Sequence, residues 1–447
     1  MTTSEPHDHG RAGALAERGA APGLPRRSCL KLLALAGCAL VVPAGLAGDP
    51  PAAPGRPFRI LLYSGWAVHN IGDVGHTPGT LRFLGQHLPE AQVTCWLRTS
   101  TPALVAMLGR RFPKVVFVTD SSLDHLGKAS TPELQAAFDG ADLFIQNSGM
   151  HFNRFWAPPV GLIQACLRAQ KPFGLYAQSF DGFREQDAAT LPGLLAQAAF
   201  IYTRDTDSLQ FLRSRDVAPR ILEFGPDGCF GIDVRDEAWA AAYMGEHGLE
   251  ARKFITVTLR TDQEVSTIQG EEAGSRPALT PQQWAGKLRE LIVAWVQRTG
   301  LKVAIVPEVE KEIGPGRRLI LDLLPEDVRA HVVHLDRWWT VDQATALYAQ
   351  AHTVVAVEPH SCIMALANGT PMIHWFTWKH GTKAMMFRDL GLSEWLIDID
   401  AEPTAHAIAA LQRITDRYDL ALQKTRRAMA FVEARSSEMM GDIRRLV

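Results

Sequence analysis

From Phe58 to Phe376 the chain alternates short apolar, β-branched runs with longer stretches in helical register. Most of the runs end in small or polar residues. Such alternation builds parallel sheets covered by helices on both faces, with right-handed crossovers. One series of strands is expected at Phe58 to Ser64, Gln92 to Leu97, Val115 to Thr119, Leu143 to Gln146, Phe173 to Ala177 and Phe200 to Thr203. A second follows at Phe254 to Leu259, Lys302 to Val306, His331 to Leu335, Thr353 to Val357 and Met372 to Phe376. The acidic, Ala-rich segment Asp236 to Glu250 reads as a helix between them. The pattern predicts an α/β protein of two Rossmann-like parallel-sheet lobes, 58–238 and 253–402, joined by 239–252. An amphipathic helix is expected over 403–447.

The first residues follow another pattern. Arg26-Arg27-Ser28-Cys29-Leu30-Lys31 precedes an apolar run that ends in the small-x-small site Gly45-Leu46-Ala47. Residues 1–47 therefore read as a twin-arginine-type export signal, and 48–57 as a Pro/Gly-rich linker. A periplasmic or cell-surface location is expected, with membrane contact only through the signal. The alternative is an anchored protein, or one lipidated at Cys38. Over the whole chain 46 Lys and Arg balance 48 Asp and Glu, so there is no basic field to attract nucleic acid. Cys95, Cys166, Cys229 and Cys362 lie in apolar runs with no metal-ligand spacing, which favours buried thiols and leaves disulfides open.

The richest stretch is 353–391. Thr353 to Val357 reads as a buried strand, and Ser361 to Asn368 as a short helix capped by Ser361, with Gly369 past its end. His360 thus falls at the carboxyl end of a strand and the amino end of a helix, where open α/β sheets bind ligands and helix amides favour anions. Lys379, His380 and Lys383 follow the next strand and are expected at the same edge, as is Arg260 at the end of its own strand. In the first lobe, Asn70-Ile71-Gly72-Asp73 lies in a Gly-containing turn before a helix expected from Gly79 to Gln86. Strand ends at Ser148-Gly149, Gln178-Ser179 and Arg204-Asp205 would face the cleft. There is no G-x-G-x-x-G, so no dinucleotide is expected, and no metal or other cofactor. Trp338-Trp339 reads as core, with stacking on a sugar ring as the alternative.

Taken in order, these pieces resemble the polysaccharide pyruvyl transferase family: Asn70-x-Gly72-Asp73, Ser148-Gly149, Gln178-Ser179, Arg204-Asp205-x-x-Ser208, Pro226-Asp227-x-x-Phe230, Arg260, His360 with Ala365 and Gly369-Thr-Pro371, and Lys383-x-x-x-Phe387 with Gly391-Leu392. The resemblance implies a glycosyltransferase-B-like fold and transfer of enolpyruvyl from phosphoenolpyruvate to two hydroxyls of a carbohydrate acceptor, forming a pyruvate ketal. It implies a catalytic role for His360 and donor contacts from Arg260, Lys383, Ser361, Asn70, Gly72 and Asp73. Ser148, Gln178, Glu358, Lys379 and His380 would line the acceptor side or the cleft. One departure stands out: Glu358-Pro359 precedes the histidine where the family carries Arg-Leu. A carboxylate there opposes an anionic donor unless Lys379, His380 and Lys383 offset it. Two alternatives follow, a glycosyltransferase using a nucleotide sugar and an exported carbohydrate-binding protein on an inactive scaffold.

Overall fold

The computed structural model describes residues 56–261 and 279–446. The twin-arginine segment, its cleavage site, Cys38 and nearly all of the linker lie outside the described residues, as does most of the loop after Arg260.

Each lobe is built on one parallel sheet. The first has the order β3-β2-β1-β4-β6-β7-β8, with β5 pairing alongside β6. Its strands are β1 (Arg59–Ser64), β2 (Gln92–Leu97), β3 (Val116–Val118), β4 (Leu143–Gln146), β5 (Gly149–Phe152), β6 (Phe173–Phe180), β7 (Phe200–Thr203) and β8 (Leu222–Phe224). The second has the order β11-β10-β9-β12-β13-β14, from β9 (Phe254–Thr258), β10 (Lys302–Ile305), β11 (Val332–His334), β12 (Thr353–Ala356), β13 (Met372–Phe376) and β14 (Leu396–Asp398). In both sheets the order reverses direction beside the lobe's first strand, between β1 and β4 and between β9 and β12. That reversal opens a crevice at the carboxyl ends of those strands, where doubly wound sheets bind ligands.

Several expectations need correcting. The helix expected from Gly79 begins eight residues earlier, as Ile71–His87, because Asn70 caps it by accepting from the Gly72 amide at 2.9 Å. The glycines that suggested a turn instead let this helix approach its neighbours closely: a Cβ on Gly79 would sit 2.1 Å from the Gly228 carbonyl oxygen. Gln178-Ser179 does not end a strand. Ala177 adopts a positive φ of 52°, the pairing register with β7 shifts there, and β6 continues through both residues. The C-terminal stretch is two helices, Thr404–Asp416 and Tyr418–Arg444, because Arg417 leaves helical geometry at φ −133° and ψ 48°. The short strands β5, β8 and β14 had no sequence signal beyond the ends of stronger runs.

The second of those helices ties the chain's end to the first lobe. Glu433 accepts from Arg82 at 2.7 Å and Asp442 from the Tyr202 hydroxyl at 2.7 Å. The four cysteines of the described residues are all buried and free. Among these residues no helix is long and apolar enough to cross a membrane.

Candidate active site

The site forms where the two lobes meet, over the carboxyl ends of β9, β10 and β12. The helix Pro359–Ala367 follows β12; Glu358 is its N-cap position and Pro359 its first residue, where the missing N–H costs nothing. His360 comes next, 6% exposed, and its ring lies against Gly72 in the first turn of the Ile71–His87 helix. A Cβ on Gly72 would fall 2.5 Å from that ring, so glycine makes room for the histidine. His360 Nε2 is 3.1 Å from Nε2 of His76, which lies further along the same helix. Its other nitrogen, Nδ1, is 3.4 Å from Oε1 of Glu308. His76 Nε2 is also 3.3 Å from Asp227 Oδ2. One assignment of protons fits these distances: Nδ1–H of His360 faces Glu308, and Nε2–H of His76 is shared between Asp227 and the lone pair on His360 Nε2, while His76 Nδ1 has no partner among the described residues. A carboxylate on Nδ1 orients the imidazole so that Nε2 is the basic nitrogen, and that lone pair becomes available when His76 gives its N–H to Asp227 alone.

Glu308 follows β10 after Val306-Pro307 and joins the two lobes. Its backbone carbonyl accepts from Ile71 N at 3.0 Å, and its Oε2 accepts from Ser361 N at 2.7 Å and Ser361 Oγ at 2.6 Å. This corrects the reading of Ser361 as a cap and an anion donor: its amide and hydroxyl both serve the protein's own carboxylate.

Glu358 is buried with three basic side chains around it, His380 Nε2 at 3.0 Å, Arg260 Nη1 at 3.4 Å and Lys383 Nζ at 3.5 Å. Burial alone would push its carboxyl up, but Arg260, Lys383 and His380 hold it well below the usual carboxylate range. Burial in turn pushes His380 and Lys383 down, with Glu358 opposing in each case. The carboxylate expected to oppose an anionic donor is the group that assembles the cations. Lys379 is placed otherwise; half-buried, it bonds Thr377 Oγ1 through its amide at 3.3 Å.

The first-lobe motifs form one buried network behind His76. Asp227 Oδ2 accepts from Arg204 Nη1 at 2.7 Å, and Arg204 Nε donates to Ser179 Oγ at 2.8 Å. Ser179 donates to Asp205, which also caps Ser208 N at 2.7 Å. Burial would raise the Asp227 carboxyl; His76 and Arg204 more than reverse it. Burial also pushes His76 down, so it is neutral. Ser148 and Gln178 are fully buried and do not face the cleft as expected. Ser148 Oγ accepts from Gly228 N at 3.2 Å, and Gln178 holds His151, its Oε1 3.2 Å from Nδ1. Asn70 caps the helix, Gly72 makes room for the His360 ring, and Asp73 stands half-buried in the helix's first turn. Trp339 is core, its indole donating to Pro307 O at 2.8 Å, and Trp338 lines a separate cavity of about 340 Å³.

Among the described residues, two groups have ligand atoms close enough together for a cation: His76, Asp227 and His360, and Glu308, Glu358 and His360. In the first, Arg204 already sits on the Asp227 oxygen; in the second, Arg260 and Lys383 sit on Glu358. His76, Asp227 and Glu308 are not among the catalytic or donor residues expected from the sequence. Asp227 shows there only within the motif Pro226-Asp227-x-x-Phe230, His76 only beside His69 and Asp73 as a weak metal-ligand pattern, and Glu308 only as a polar residue just past a strand.

A model described as polysaccharide pyruvyl transferase matches residues 70–380, 311 of the chain's 447. The chain belongs to the polysaccharide pyruvyl transferase family. It is therefore a transferase, and the matched span runs from the Asn70 cap to His380, enclosing most of the site. Amylovoran biosynthesis protein AmsJ of Erwinia amylovora is 21% identical over 355 residues, covering 76% of this chain and 83% of that one. Among solved structures, the S. aureus MnaA–UDP complex has a TM-score of 0.53 at 12% identity, covering 85% of this chain and 94% of its own. Anabaena Alr3699/HepE with UDP-glucose has a TM-score of 0.51 at 13% identity, covering 87% and 100%. At such identities these two establish likeness of fold, a glycosyltransferase-B-like pair of lobes, and no more.

Proposed function

We propose that this pyruvyl transferase uses phosphoenolpyruvate as donor and a carbohydrate diol as acceptor, with His360 as the proton-transferring residue. The observation that carries the reading is the placement of His360: at the switch point of the second sheet, facing Glu308, and two residues from Glu358, which gathers Arg260 and Lys383. The donor's carboxylate and phosphate need two cationic contacts, and Arg260 suits bidentate pairing with either. One acceptor hydroxyl attacks C2 of the donor and gives its proton to His360 Nε2. A proton added to the methylene carbon makes the methyl group. The C–O bond to phosphate then breaks, and the second hydroxyl closes the ketal at C2. Of the two hydroxyl protons, one ends on the methyl group and one on the departing phosphate.

Glu358 sets the terms of donor entry. Three carboxylates (Asp227, Glu308 and Glu358) already face three cations (Arg204, Arg260 and Lys383), so an added anion has to share them or draw protons onto the neutral histidines. Donor binding is therefore expected to be coupled to proton uptake by His380 or His76.

The test uses the full chain with phosphoenolpyruvate. Calorimetric titration in buffers of different ionisation enthalpy should show binding with net proton uptake. With acceptor present, His360→Ala should release phosphate about 100- to 10,000-fold more slowly than wild type. A wild type that ignores phosphoenolpyruvate sinks the donor assignment, and a His360→Ala enzyme with full turnover sinks the role of the histidine.

A further inference from the structure

The first sheet has its own switch point, between β1 and β4, and none of the groups placed around His360 or Glu358 above lies there. A cavity of about 750 Å³ opens at that spot, within the usual range for small-molecule sites. Tyr63 at the end of β1, Trp66 just beyond it, Trp96 in β2 and Trp156 after β5 contribute aromatic rings. Tyr63 packs on Trp96 with ring centroids 4.3 Å apart and on Trp66 at 5.1 Å, which fixes a rigid apolar wall. Trp156 is 51% exposed at the rim, an unusual place for an indole in a protein whose other large rings are mostly buried.

Polar groups on the same cavity are few and specific. Gln146, the last residue of β4, is 1% exposed and its amide nitrogen has no hydrogen-bond partner among the described residues. A buried donor left unsatisfied carries a desolvation cost, which a ligand acceptor would recover. His151 lies against Trp66 with ring centroids 4.0 Å apart. Burial pushes its imidazole down to about 3, so it is neutral. With Nδ1–H donated to Gln178 Oε1, Nε2 keeps a lone pair to receive a hydroxyl. Among the described residues, Arg98 is the one formally charged side chain lining the cavity. A nucleotide or phosphoenolpyruvate would require more cations than that. A sugar ring requires none: it has an apolar face for the indoles and a rim of hydroxyls for Gln146 and His151.

We infer that this cavity is a saccharide-binding site that takes a sugar ring against Trp156 and Trp66, with Gln146 and His151 as hydroxyl contacts. It rests on the reading above that the second substrate is a carbohydrate, and it names the lobe and side chains that hold it. The cavity is also wired to the reacting histidines. Gln178 donates to the Asn147 carbonyl, and Asn147 Nδ2 donates to the His76 carbonyl at 3.2 Å. One substrate at each sheet's switch point would bring acceptor and donor together across the meeting of the lobes.

The experiment is saturation-transfer NMR on the full chain with methyl glycosides of glucose, galactose, mannose and N-acetylglucosamine, and with UDP as a contrast. At least one glycoside should receive saturation, and Trp156→Ala, an exposed position, should weaken its binding roughly tenfold. His360→Ala should bind that glycoside as wild type does. Absence of transfer to every glycoside, indifference to Trp156→Ala, or UDP binding that depends on Trp156 overturns the inference. Glycoside binding in a protein that ignores phosphoenolpyruvate supports the site and rejects the donor. Turnover of phosphoenolpyruvate with acceptor kinetics unchanged by Trp156→Ala rejects the site and keeps the donor.

Discussion

At position 358 a carboxylate lies 2% exposed among Arg260, His380 and Lys383. From the sequence it reads as a reversal of charge where an anion should bind; in the fold it is the counter-ion that lets two cationic side chains be buried side by side. Replacing one partner of a buried ion pair leaves the others uncompensated, which typically costs about 3–5 kcal/mol. Glu358→Gln should therefore lower the melting temperature markedly. An anion that binds only the folded protein should recover part of that loss, since such binding stabilises by mass action. Inorganic phosphate is expected to raise the melting temperature of Glu358→Gln more than that of wild type. Equal responses would show that Glu358 does not occupy the cations' anion position.

Among the elements, the helix Ile71–His87 shows best how the sequence misleads. Its glycines, a mid-helix proline and two histidines look like a loop, yet Asn70 caps it and its packing rewards the small residues. Gly72 admits the His360 ring, and Gly79 meets the Gly228 backbone. Gly85, further along the helix, is exposed, and a Cβ added there would meet nothing within 4 Å. The two positions should respond oppositely to the same change. Gly79→Ala drives a methyl group into a backbone carbonyl and should destabilise by about 1–3 kcal/mol or more. Gly85→Ala should stabilise by up to about 1 kcal/mol through helix propensity alone. Denaturant unfolding of both variants checks this; a neutral Gly79→Ala would mean the helix does not sit against the Gly228–Gly231 turn.

For the whole molecule, buried histidines govern the response to acid. Burial pushes His352 down to about 4 and His374 to about 3, against 6.5 in an unfolded chain. Their folded values are depressed, so their contribution is complete above pH 6.5 and is lost as the pH falls and the unfolded state takes up protons. Two such groups change stability by about 2.7 kcal/mol per pH unit below that point. Between pH 7 and pH 5 the loss from these two alone should reach about 4 kcal/mol, a large part of a typical folding free energy, and His151 adds to it in the same direction. Asp205 and Glu312, whose carboxyls burial pushes up, offset some of this at lower pH by holding protons in the folded state. Unfolding free energies that match at pH 7 and pH 5 would show that these imidazoles are not buried neutral.

The two sheets, the strand ends that carry Arg260 and His360, and the family were legible in the chain because they depend on local order: apolar runs of strand length, helical periodicity, and motif residues in sequence. Glu308 and His76 were not legible as site residues. Each lies far along the chain from His360, 52 and 284 positions away, and nothing local marks a residue that acts by meeting His360 from another strand of its own lobe, as Glu308 does, or from the opposite lobe, as His76 does. The same holds for the aromatic cavity, whose rings come from separated segments. Sequence determined which strands end where, since hydrophobic patterning is written residue by residue. Only the tertiary structure decided which strand ends face each other, and so which charges Glu358 neutralises and which nitrogen of His360 is left to react.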